Sequence, residues 1–135
     1  MTLFSALGIA GSGVDAMQTW IDTAGGNIAN ANDTAATNKP VYAEQTAVLS
    51  PVGAQIPGQT GNGVQASVVE GSTAGVLAYE PNNPLADANG NVRVPNVSIS
   101  DQLVGLIQAQ TGYQADTNVL THAIAAYQSG LTIGS

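Results

Sequence analysis

The run Gly11-Ser12-Gly13-Val14-Asp15-Ala16 has the G-x-G-x-x-A spacing of a dinucleotide fingerprint, and Asp33 falls at the distance where such sites place an acid for the ribose. That chemistry needs a buried strand before the glycines and a βαβ unit around them, so that the pyrophosphate meets a helix N-terminus. Here an apolar heptad runs through the glycines without a break, which sets nucleotide binding aside. Asp87, Asn89 and Asn91 have the first-third-fifth spacing of a calcium loop. However, Val92 stands where glycine makes the sharp turn and Ser98 where a glutamate closes the site, so a tight polar turn is expected. His122 is the one histidine, there is no cysteine and no G-x-S-x-G occurs, so no nucleophile-base pair can be assembled. His122 is expected on the polar side of a helix. No catalytic, cofactor-binding or metal-binding residue is assigned.

The elements that carry most of these residues are two apolar seams. Leu3, Leu7, Ala10, Val14, Met17, Ile21, Ala24 and Ile28 step alternately by four and three, the a/d spacing of a coiled coil. Near the other end Ile99, Leu103, Leu106, Gln110, Tyr113, Thr117, Leu120, Ile124, Tyr127 and Leu131 repeat the alternation with two polar interruptions. A seam needs a partner, so the two terminal helices should pair, within the chain or across a boundary between chains. The front helix, residues 2–32, contains Gly8, Gly11, Gly13, Gly25 and Gly26, each costing about 1 kcal/mol relative to alanine. Those glycines gain a purpose where a neighbouring backbone comes close. Asn32, Asp33 and Thr34 should stop the helix by bonding their own backbone.

Between the seams the period changes to two. Residues 41–49 alternate, with Val41, Ala43, Gln45, Ala47 and Leu49 on the more apolar face, and residues 64–69 make a second strand, so a hairpin is expected around a turn-rich loop at 51–63. A short apolar piece at 76–79 and an extended one at 92–97 flank a stretch holding the Asn89-Gly90 turn signal. Ser98 or Ser100 should cap the last helix, residues 98–131, with Asp101 in its first turn. The fold class is α+β: long N- and C-terminal helices paired as a coiled coil, with a small β-rich insert between them. The expected division is 1–36 and 98–135 for the helical core and 37–97 for the insert.

At 135 residues the chain is the size of one ordinary domain. It is 44% hydrophobic but only 4% aromatic, so its core must be built from Ala, Val, Leu and Ile. A net charge of −7, with Lys39 and Arg93 the only basic residues, disfavours nucleic acid and anionic membrane surfaces as partners. No apolar run approaches the roughly 20 residues of a membrane span. A cleaved signal peptide is not expected either, since no basic residue precedes Lys39 and glycines interrupt the apolar front.

Three blocks resemble a known family. Asn27-Ile28-Ala29-Asn30-Ala31-Asn32-Asp33-Thr34 resembles the N-terminal signature of bacterial flagellar axial proteins; residues 79–97 resemble a stretch peculiar to the proximal-rod members; residues 112–123 are similar to the C-terminal helix motif. The chain departs from the pattern at Gly26, where serine is usual, at Asp116, where asparagine is usual, and after Tyr42, where arginines are common. The resemblance implies a structural, non-enzymatic subunit of the rod. Its terminal helices would pack against copies of itself and other rod proteins, transmit torque, and meet basal-body and MS-ring components, without a cofactor. It also implies export through the flagellar type III apparatus. The expected assembly residues are Leu3, Leu7, Val14, Met17, Ile21, Gly25, Gly26, Ile28, Asn30, Asn32, Leu103, Leu106, Tyr113, Leu120, Ile124, Tyr127 and Leu131. A soluble coiled-coil binding module, chaperone-like in character, is the competing reading.

Overall fold

A computed structural model describes residues 3–53 and 62–133. Helix α1 spans Leu3–Asn30 and helix α2 spans Ile99–Ile133, 28 and 35 residues long. At 1.5 Å rise per residue these are rods of about 40 and 50 Å. Gly11 to Ala16 lies inside α1, so the fingerprint spacing has no strand before it. Ser98 is the N-cap of α2: its hydroxyl accepts from the Asp101 N–H at 3.3 Å, and the Asp101 carboxylate sits in the first turn.

The insert forms a pair of two-stranded antiparallel ribbons. Strand β1 (Gln45–Pro51) pairs with β2 (Val64–Glu70), from Gln45 opposite Glu70 to Pro51 opposite Val64, without a bulge. Strand β3 (Val76–Tyr79) pairs with β4 (Asn91–Val94). The first strand starts later than the alternation at 41–49 suggests, because Val41 to Glu44 are taken up in contacts with other segments: Val41 N–H donates to Thr73 O at 3.1 Å and Tyr42 reaches α1. From Gln45 on the expected faces hold. Gln45, Ala47 and Leu49 are half-buried, whereas Thr46, Val48 and Ser50 are exposed. Residues 54–61 of the turn-rich loop lie outside the described residues.

The turn at Asp87 is closed from within, its Oδ1 accepting from the N–H groups of Asn89 (2.8 Å) and Asn91 (3.0 Å), and Gly90 adopts φ +77°, as the Asn-Gly signal requires. Arg93 clamps the second ribbon to the end of α1. Its backbone exchanges two 2.9 Å bonds with Ala35, its Nε donates to Thr37 O, and its guanidinium also donates to Ala74 O. The core is thin, as the scarcity of aromatics implies: Ala10, Ala16, Ala24, Ala31, Val41, Val92 and Ala109 are the buried apolar residues among those described.

Candidate assembly surface

The two helices pack antiparallel along a strip of small residues. Phe4 meets Tyr127 edge to face, with ring centroids 5.7 Å apart. A side chain on Gly13 would strike the Asp116 carboxylate, one on Gly112 would lie 2.7 Å from Met17 Sδ, and one on Gly105 would touch Trp20 Nε1 at 3.4 Å. Ala109 between them is wholly buried. Large residues of α1 thus sit over glycines of α2, and the missing Cβ atoms bring the axes close. On α1 the intramolecular seam reads Ala10, Gly13, Met17, Trp20, Ala24 and Asn27, with Ala31 just past the helix end, in threes and fours like the expected one. It shares Ala10, Met17 and Ala24 with it and otherwise falls one residue to the side. On α2 it reads Gln102, Gly105, Ala109, Gly112 and Asp116, one residue away from the leucines.

Asn27 fixes this packing to the insert. It is fully buried, and its amide is saturated. Nδ2 donates to Gln45 O (2.7 Å) and Gln102 Oε1 (2.9 Å), while Oδ1 accepts from Gln45 N–H (2.8 Å) and Tyr42 Oη (3.0 Å). Two N–H groups and two acceptor sites are all that an asparagine side chain has. Gln102 Nε2 continues the chain to Glu44 Oε1 at 2.7 Å. One side chain therefore ties α1, β1 and α2 together. Burial and the nearby Glu70 and Glu44 carboxylates hold the Tyr42 hydroxyl above the ordinary tyrosine range, so it stays protonated as a donor. Asn27 entered the sequence reading only as the start of the asparagine run; its place on the offset heptad is the signal that marks it.

The expected assembly residues divide by burial. Met17 and Tyr127 lie in the helix pair. Leu7, Val14, Ile21, Ile28, Leu106, Tyr113 and Leu120 are half-buried, and the side chain of Leu3 lies outside the described residues. Gly25 is exposed with nothing within 4 Å of where its Cβ would be; Gly26 has only Tyr42 Oη nearby, at 3.6 Å. Asn30 donates back to Gly26 O at 2.8 Å and Asn32 is exposed. On α2, Leu103, Ile124 and Leu131 are 47%, 48% and 58% exposed, and Val104, Ile107 and Val119, outside the expected seam, are at least half exposed. Much of the large apolar surface of α2 is left uncovered in the single chain. His122 is exposed, and no helix among the described residues is long and apolar enough to cross a membrane.

A surface of this kind is what a helical subunit offers to neighbours, and the comparisons with known proteins agree. The family model for the C-terminal region of flagellar basal body rod FlgEFG proteins matches residues 88–133, which include all of α2. The flagellar basal-body rod protein FlgC of Salmonella typhimurium is 40% identical over 136 residues, covering 99% of each chain. FlgC of Escherichia coli O157:H7 is 36% identical, again over 99% of both, and that of Borreliella burgdorferi 28% identical over 98%. With the relatives matched end to end and the helix pair in place, the chain belongs to the family of flagellar basal-body rod proteins FlgC.

Proposed function

We propose that the chain is a structural subunit of the proximal part of the flagellar rod. In this reading residues 1–36 and 98–135 form the helical core that stacks in the shaft, and residues 37–97 form an outer insert. The observation that carries it is the uncovered apolar surface of α2, at Leu103, Val104, Ile107, Val119, Ile124 and Leu131. These side chains are already about half buried, so covering the remainder contributes roughly 0.7 to 1.5 kcal/mol each, and the assembled state adds stability that the single chain lacks. Copies of the chain, other rod proteins and components of the MS ring are the expected neighbours. Torque passes through the packed helices, and no reacting group is needed for that role. An isolated binding module is not favoured, because the resemblance to rod proteins runs over the whole chain.

Gly25 belongs to the same reading. A helical glycine in open space costs about 1 kcal/mol relative to alanine, and none of the described residues comes within 4 Å of where its Cβ would be. A neighbouring helix crossing at Gly25 and Gly26 gives that cost a reason. The test is to replace Ile107 or Leu131 by aspartate and, separately, Gly25 by leucine. Each variant is expected to keep the circular dichroism of the parent chain, to be secreted, and to leave cells non-motile without complete rods. Normal rods in all three would falsify the assembly role given to these residues.

A further inference from the structure

The ribbon β1–β2 has an edge that no described residue bonds along Ala47 and Leu49. Val52 N–H donates to Gly63 O and Gly71 N–H to Glu44 O, which sets the ladder so that even-numbered residues of β1 bond β2 and odd-numbered ones point outward. Gln45 obeys this: its outward N–H and C=O are the groups that Asn27 holds. The outward N–H and C=O of Ala47 and Leu49 have no bonding partner among the described residues. Proteins protect such edges with charges, prolines or bulges. From Thr46 to Ser50 this strand has none of them, and its register is straight. On β2, by contrast, the first outward amide, that of Val64, is already taken by Ser12 Oγ at 3.0 Å.

Beside the open part of β1 runs a groove of about 360 Å³ toward α2, floored by Trp20 and walled by Val104 and Gln108, with Glu44 and Asp101 at its sides and no basic residue in its lining. We propose that this edge and groove receive an extended segment of a different rod subunit, adding a strand to β1 through Ala47 and Leu49 and placing a lysine or arginine between Glu44 and Asp101. Setting the site in the rod rests on the function proposed above; the edge and its charge do not. A second copy of this chain is a poor occupant. Its two basic residues are Arg93, whose guanidinium is bonded to Thr37 and Ala74, and Lys39, which precedes a proline that has no N–H to add to a ladder.

The experiment places a photocrosslinking amino acid at Gln108 of the full chain in motile cells, followed by purification of basal bodies and mass spectrometry of the crosslinked peptides. The expected product joins Gln108 to a lysine- or arginine-bearing segment of another basal-body protein. Its yield should fall about three- to five-fold when Asp101→Lys is added, and the Ala47 and Leu49 amides should be protected from exchange in basal bodies but not in the free chain. Crosslinks only to a second copy, a yield indifferent to Asp101→Lys, or no crosslink in basal bodies that contain the chain overturn this proposal while leaving the rod reading standing. Absence of the chain from basal bodies overturns both.

Discussion

Replacing Asn27 by leucine keeps the branched shape but strands the backbone N–H and C=O of Gln45, together with Gln102 Oε1, in a site that water does not reach. Each orphaned buried group costs on the order of 1 to 3 kcal/mol, so with three of them the variant should lose at least about 3 kcal/mol of unfolding free energy in urea titrations of the isolated chain. Alanine at Asn30, whose amide bonds only its own helix at Gly26 O, is expected to cost far less. Tyr42, which donates to Asn27, gives a pH dependence. Its folded-state pKa lies above its unfolded value, first through burial and then through Glu70 and Glu44. The unfolded chain therefore releases the proton first. Stability should be fully present below about pH 10 and should fall as pH rises from there through the higher folded value. Tyr42→Phe should remove that part of the alkaline slope, read from thermal melts between pH 8 and 11; an unchanged slope counts against this assignment. The bonds of neither residue were legible in the sequence, because the four groups that saturate the amide come together from α2, β1 and the segment before β1.

At the scale of the elements, the helices themselves, their ends and the hairpin are legible, since they follow from local periodicity, capping and turn chemistry. The seam is only half legible. Two heptads one residue apart coexist on α1, and apolar size points to the one holding Leu7, Val14, Ile21 and Ile28. The chain uses for its own pairing the one with Gly13, Trp20 and Asn27, because close contact between helices rewards small residues set against large ones. The glycines separate these roles by sign. Gly8→Ala, in open space, should raise the stability of the isolated chain by about 1 kcal/mol through helix propensity. Gly112→Leu, driven against Met17 Sδ, should lower it by about 1 to 3 kcal/mol through overpacking. Denaturant midpoints of the two variants moving in the same direction would remove the distinction between open and contacted glycines.

For the whole molecule, the thin core and the uncovered face of α2 set where order ends. Past Tyr127 every described residue of the helix is exposed, Leu131 and Ile133 to 58% and 86%. In the isolated chain the amides of residues 128–133 should exchange at nearly open-chain rates, while those around Ala109 are slowed by the paired helices. In the assembled rod both sets should be protected. The same architecture has a consequence for the order in which the protein can form. Asn27 and Gln102 are 75 residues apart, and the helix that closes the fold is the last to be synthesised. At the 5 to 20 residues per second of translation, α1 spends several seconds complete but without the partner that covers Ala16, Ala24 and Asn27. Its glycines keep it from being stable alone during that interval, so the nascent chain presents a loose segment instead of a preformed apolar rod. Closure then waits for a long-range encounter, and a chain truncated before Gln102 has no route to the native packing.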